Sequence, residues 1–346
     1  MLEHRKLLLL TASLAISLTA ILFILFFSPY KITSETIDAL AKINPFYLVL
    51  AIGAHIGGFV IWSVRLKIMS DFIGISADGL GEKGKANDLK LSKSLKIILA
   101  SLFAACITPS QFGGEPVRIY LLNKNGLSVG DGTAVVFGER LLDFVVIMIG
   151  AAISFLLFRA VLPYHSILYT IFTVIGACLS AGVVIMAYSL ARPEKVKKVI
   201  DFLFSKIKSK RLEKIEDKFH RELDNFYNAI KRFQCKGKTT LVLALLITIA
   251  FWLVAFMVPS LLLLGFGANP VWLQSIAAQF ILLIIVAFPV TPGGSGVAEF
   301  GITYLYHTLV GAPILGIFAV IWRLSTYYVS LIVGGVTSAK ILSEIS

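Results

Sequence analysis

Apolar residues in this chain fall into long blocks separated by short polar punctuation and by two basic stretches. Leu7–Phe27, Pro45–Val64, Thr133–Phe158, Leu162–Leu190 and Thr239–Leu264 are five such blocks. Each is long enough for a helix to cross a hydrocarbon core of roughly 30 Å, which takes about 20 residues. A sixth block follows Gly311-Ala312-Pro313 and reaches Ala339, with Arg323 near its middle. Two further apolar runs are broken. Ile97–Ile107 stops at Thr108-Pro109 and resumes as Val117–Leu122. Val271–Val290 stops at Thr291-Pro292-Gly293-Gly294 and resumes as Phe300–Val310. At about 1.5 Å per residue, a piece as short as Ile97–Ile107 cannot span a bilayer. The pattern predicts an all-α polytopic membrane protein with about six full spans and two broken-helix hairpins.

The basic stretches set the topology. Arg65–Lys96 holds seven Lys/Arg against four Asp/Glu, and Ala191–Lys238 holds 15 against seven. Both are expected on the cytoplasmic side. An even number of crossings must then separate them, and Thr133–Phe158 and Leu162–Leu190 already supply two. The pair Ile97–Leu122 is therefore expected to be re-entrant from the cytoplasm, and Val271–Val310 from outside. Both termini fall inside. One membrane domain results, with halves 1–160 and 161–346 in opposite orientation. The N-terminal block is expected to be a retained span, since its apolar core exceeds a signal h-region and no A-x-A site follows. Within 191–238, Leu212, Ile215, Phe219, Leu223, Phe226, Ile230 and Phe233 recur at helical spacing opposite a basic face. That amphipathic helix could lie on the bilayer, or pack on a partner or on the protein itself. Both readings stay open at this point, as do two roles for Arg65: interface anchor or member of a polar network.

Composition agrees. Hydrophobic residues make up 57%, charged residues 15%, and mean hydropathy is +0.86. Soluble domains hold about 45–50% apolar and 25% charged residues. The net charge of +12 sits mostly beside spans, where it reflects topology and attraction to anionic lipid, not nucleic acid. Cys106, Cys178 and Cys235 are scattered and the five histidines dispersed, so neither disulfides nor zinc are indicated. No GxxxxGK[ST] loop or nucleophile–base constellation is present. No cofactor or metal is expected, and no enzyme.

The two breaks resemble each other. Thr108-Pro109-Ser110-Gln111-Phe112-Gly113-Gly114-Glu115 and Thr291-Pro292-Gly293-Gly294-Ser295-Gly296-Val297-Ala298-Glu299 share the form TP…G…E. A span with an intramembrane arginine follows each: Glu115 lies 25 residues before Arg140, and Glu299 lies 24 before Arg323. Inverted repeats with broken helices are a plan of secondary transporters, whose sites form where the breaks meet. Pro109 and Pro292 block helix continuation, and the glycines expose amides at half-helix N-termini, which attract anions. Arg118, Arg140 and Arg323 add forked donors that match phosphate. Glu115, Glu139, Asp143 and Glu299 are positioned to balance them, to pair structurally, or to carry a coupling proton. Asp143 lies one turn beyond Glu139 on the same face.

At these residues the chain resembles the lysylphosphatidylglycerol synthase transmembrane-region family, a flippase-like group. Thr108–Arg118 (TPSQFGGEPVR), Glu139–Asp143 (ERLLD), Thr291–Glu299 (TPGGSGVAE) and Trp62–Arg65 carry the resemblance. Family members fused to an aminoacyltransferase make lysyl-phosphatidylglycerol and move it across the bilayer, while others accompany glycosyltransferases. This chain closes at Ser346 directly after its last predicted span, so lipid handling is expected of it and lysyl transfer is not. The resemblance implies a cell-membrane translocase for an anionic phospholipid or polyprenyl-phosphate lipid. The alternatives are a carrier for a small soluble anion, or an accessory subunit presenting lipid-linked sugar to a glycosyltransferase.

Overall fold

The computed structural model describes residues 11, 15–23, 25–27, 31–78, 89–108, 112–158, 210–286, 291 and 293–345, and ten further positions between 177 and 198. The predicted span 162–190 lies largely outside the described residues, and Pro109 and Pro292 lie wholly outside them. Among the described residues every regular element is a helix. After helical residues at 15–23 come α1 (Ser34–Ala41), α2 (Pro45–Asp78), α3 (Leu91–Cys106) and α4 (Gly114–Lys124). Next are α5 (Val129–Phe158), α6 (Lys210–Lys236), α7 (Lys238–Gly265), α8 (Trp272–Val286) and α9 (Val297–Tyr306). The last apolar block is α10 (Ala312–Arg323), a π-helical turn (Leu324–Tyr328) and α11 (Val329–Ile345) in unbroken succession.

Among the described residues, three stretches are long and apolar enough to cross a membrane: Pro45–Gly74, Lys238–Gly265 and Ala312–Glu344. Their outward faces are apolar too. Val242, Leu246 and Leu253 of α7 are exposed, an arrangement suited to lipid and not to water. The core lies between α2, α7, α8, α9 and α10, where Leu262, Ile302, Tyr306, Leu315 and Phe318 are fully enclosed. A second cluster joins α2, α3, α5 and α6.

Both breaks are helix–turn–helix units. α3 is 16 residues long, about 24 Å at 1.5 Å per residue and so short of a full crossing. α4 turns back against it. A Cβ on Gly114 would stand 3.0 Å from the Ser101 carbonyl oxygen, and one on Gly113 2.8 Å from that of Ala104. α8 is shorter still at 15 residues, and α9 packs back on it with Gly301 against Leu282.

Two sequence expectations are settled by packing. The first basic loop does not begin at Arg65: α2 runs on to Asp78, and Leu66, Met69 and Ile73 keep an apolar face buried beyond the charge. The hydropathy block ended because polar residues entered, whereas the helix continued because its inner face stayed apolar. The amphipathic helix α6 packs on the protein itself. Phe233 stacks on Phe72 of α2 with ring centroids 5.2 Å apart, and Phe226 meets Phe137 of α5. Arg232 pairs with Asp131, and Glu222 accepts the Gly130 N–H at 2.7 Å.

Candidate functional site

The charges predicted to lie within the membrane form two clusters, one beside each break. Arg65 organises the first from the middle of α2. Its Nε meets Glu139 Oε1 at 3.0 Å, and Nη1 and Nη2 take Asp143 Oδ1 and Oδ2 at 2.7 and 3.2 Å. Nη1 also reaches Thr248 Oγ1 of α7 at 2.8 Å. Glu139 and Asp143 share the α5 face that their four-residue spacing predicted. Glu139 Oε2 accepts from Arg118 Nη1 at 2.7 Å, and its Oε1 from Trp62 Nε1 at 3.2 Å. Asp143 Oδ1 also accepts from Trp252 Nε1 at 3.2 Å. Arg65 is therefore a network member buried in the protein, not an interface anchor.

At the outer margin of this cluster Arg140 Nη2 pairs with Glu115 Oε1 at 2.7 Å, and its Nη1 stands 3.5 Å from Asp143. Here the side chains are 41% and 25% exposed. Arg118 and Arg140 both face the Trp62 ring, at 4.6 and 5.8 Å from its centroid, where the quadrupole favours cations. Three buried polar atoms of this cluster lack a hydrogen-bond partner: Arg118 Nε, Arg140 Nε and Glu115 Oε2. Such orphans are rare inside proteins, because each costs about 1–3 kcal/mol.

The second cluster is closed. Arg323 Nε meets Glu299 Oε1 at 3.0 Å, Nη2 reaches the Gly293 carbonyl at 3.0 Å and Ser295 Oγ at 3.2 Å, and the guanidinium lies 4.0 Å from the Tyr327 ring centroid. Glu299 accepts Ser17 Oγ at 2.7 Å from the N-terminal segment and the Gly296 N–H at 2.7 Å. The 25- and 24-residue spacings read from sequence are thus two direct ion pairs, Glu115–Arg140 and Glu299–Arg323.

Local chemistry builds each break. Thr108 Oγ1 donates to the Ala104 carbonyl and accepts the Gly113 N–H, both at 2.8 Å. Thr291 Oγ1 donates to the Ser295 carbonyl at 2.6 Å. The tips then touch, with the Gly293 N–H donating to the Thr108 carbonyl and Tyr327 OH to the Cys106 carbonyl, each at 3.2 Å. Gly293, Gly294 and Gly296 have φ of +61°, +66° and +84°. A Cβ on Gly293 would stand 2.6 Å from the Cys106 oxygen and 2.7 Å from the Tyr327 ring. Gly293→Ala is expected to destabilise the protein by about 1–3 kcal/mol, the cost of a side chain in the left-handed region; an unchanged unfolding midpoint in detergent would contradict this contact.

A cavity of about 260 Å³ joins the clusters. Arg118, Arg140, Asp143 and Arg323 reach it from the charged side, and its other walls are mainly aromatic and aliphatic. Sequence reasoning missed His55, Thr248, Trp252 and Gln279. All four lie in blocks free of charge, and the one available signal was a polar residue on the inner face of an otherwise apolar helix.

Residues 10–334 match the family described as the lysylphosphatidylglycerol synthase TM region. The chain belongs to this family. A UPF0104 membrane protein of Archaeoglobus fulgidus is similar to this lysylphosphatidylglycerol synthase TM-region chain, at 29% identity over 93% of each. One from Methanothermobacter thermautotrophicus is 25% identical over 80% of this chain and 79% of its own length. Another, from Methanocaldococcus jannaschii, is 30% identical over 68% and 92%. The family match takes in both breaks, both clusters and the cavity between them.

Proposed function

We propose that this membrane protein is a lipid translocase that carries an anionic phosphate head group through the cavity between its breaks. The observation that carries the reading is the cavity wall, where buried Arg118 and half-exposed Arg140 each keep an unpartnered Nε donor. A phosphate entering the cavity would meet both side chains and could draw on these spare donors, and forked guanidiniums suit phosphate geometry. Arg323 already makes three polar contacts and anchors the second break. Thr108, Gly113, Gly114 and Glu115, with Thr291, Gly293, Gly294, Gly296 and Glu299, shape the passage, and Pro109 and Pro292 complete the two motifs. The acyl or prenyl tail stays in the bilayer, beside the exposed apolar helix faces. The topology that goes with this reading has six full spans, two re-entrant hairpins in inverted halves and both termini cytoplasmic in the cell membrane. The protein supplies no bond-making chemistry, and a glycosyltransferase or other lipid-modifying enzyme is its natural partner.

The test is native mass spectrometry of gently extracted protein, with Arg140→Ala beside wild type. Arg140 is partly exposed at the margin of the cluster, and a variant that stays monodisperse in detergent provides the folded protein the comparison needs. An anionic or polyprenyl-phosphate lipid should stay on wild type and fall at least tenfold on the variant. Retention of bulk lipid alone, equal in the two proteins, would defeat the assignment and favour a carrier of a soluble anion.

A further inference from the structure

The two clusters contain four guanidiniums, Arg65, Arg118, Arg140 and Arg323, and four carboxylates, Glu115, Glu139, Asp143 and Glu299. Their charges cancel. Every carboxylate has a guanidinium within 3.0 Å, so none is left to take up a proton without breaking an ion pair. An anionic head group entering this balanced site would bring an uncompensated charge into the membrane interior, where charge is costly. Either the guest brings its own cation or the protein supplies one.

A titratable group suited to that role lies on the far wall. His55 of α2 lines the same cavity, its ring edge-on to Phe59 at 4.7 Å between centroids. Its Nε2 is 3.0 Å from Ser330 Oγ on α11. Ser330 Oγ already donates to the Thr326 carbonyl at 2.7 Å, so toward His55 it accepts. Nε2 therefore carries a hydrogen, and Nδ1 is the nitrogen that gains or loses one. The charged and titratable groups on the surrounding elements are Arg323 and Tyr327 from α10 and the π-helical turn, Cys106 from α3, Arg118 from α4, and Arg140 and Asp143 from α5. The lining residues of α7 and α8, such as Trp252 and Gln279, are not titratable. Arg118, Arg140 and Arg323 share the cavity with His55. An anion held among those arginines would bring a negative charge into the cavity that His55 lines, which favours a proton on the ring.

We propose that His55 is the proton-coupling residue, so that the anionic head group and one proton cross together as a neutral pair. The proton comes from water on the side of entry, binds Nδ1, and leaves to water on the side of exit. This rests on the translocase reading above and adds its energy coupling. The carboxylates hold the arginines in place, and the histidine follows the cargo.

The experiment uses the full chain in phosphatidylcholine vesicles with fluorescent NBD-labelled phosphatidylglycerol, read by dithionite quenching between pH 5 and 8. Wild type should move the probe faster by about tenfold or more at the acidic end, with no response to an imposed potential. His55→Gln should lose the pH dependence. Its residual transport should respond to potential, up to about 50-fold per 100 mV for a full unit charge. Ser330→Ala, which removes the hydroxyl beside the ring and its bond to the Thr326 carbonyl, should shift the midpoint of the pH profile while retaining activity. It also keeps the test decisive if His55→Gln folds poorly. Wild-type transport independent of pH, or a profile unchanged in both variants, would overturn the coupling and leave the translocase reading standing. A wild type that moves no probe at any pH would instead refute the translocase reading, and the coupling with it.

Discussion

Replacing Arg65 with alanine is expected to be among the most damaging single changes in the protein, at about 3–5 kcal/mol, because it strands two buried carboxylates. The magnitude follows from the geometry. Arg65 is buried at the junction of α2, α5 and α7, and it supplies Glu139 with one bond, Asp143 with two and Thr248 with one. Without it, Glu139 keeps Arg118 and Trp62, while Asp143 keeps Trp252 and a 3.5 Å approach from Arg140. Two negative charges would then face one well-placed guanidinium. Domains are stable by only about 5–15 kcal/mol, so such a loss should show as a large fall in the unfolding midpoint in detergent and in the yield of monodisperse protein. Arg65→Lys is expected to rescue little, because one ammonium cannot reproduce a fork that serves Nε, Nη1 and Nη2 at once. A midpoint within a degree of wild type for Arg65→Ala would show that the network is not what ties these helices together.

Much of this architecture is legible in the amino-acid order, and the part that is not has a physical cause. The two breaks are visible because Pro and Gly interrupt apolar runs, and Glu115–Arg140 and Glu299–Arg323 are visible because their spacings match. Each of those pairs is indeed in direct contact. Arg65 is harder to place. It closes a hydropathy block, and whether a charge at such an edge faces lipid head groups or the core depends on the helix continuing past it. The helix α6 posed the same difficulty, since an amphipathic face records that burial occurs and not what covers it. His55 left only a faint mark, because one polar residue in an apolar span barely alters hydropathy. The short helix Ser34–Ala41 mixes polar and apolar residues and forms no hydropathy block; α1 is begun by a capping box at Thr33, a local signal too brief for block reading.

The two clusters are alike in sequence but differ in structure, and that difference makes a second strong prediction. The first cluster has orphaned donors and a half-exposed rim, whereas the second has its carboxylate satisfied by Arg323, Ser17 and the Gly296 amide. Arg323→Met should therefore behave as a stability variant, losing about 3–5 kcal/mol as Glu299 is left charged and enclosed. Glu299→Gln alone should be comparably harmful, since it leaves the guanidinium without its counter-ion while preserving size. Combining Arg323→Met with Glu299→Gln removes both charges together. It should recover at least half of the loss, because a buried pair replaced by neutral groups is often no less stable than the pair itself. Thermal unfolding of the three variants in one detergent supplies the comparison. Losses that simply add in the double variant would mean that the two residues act independently, and the second break would then have to be held by its contacts with the first, the Gly293 N–H to the Thr108 carbonyl and the Tyr327 hydroxyl to the Cys106 carbonyl. Recovery of stability with transport intact would assign the head group to the first break, where Arg118 and Arg140 still have donors to offer.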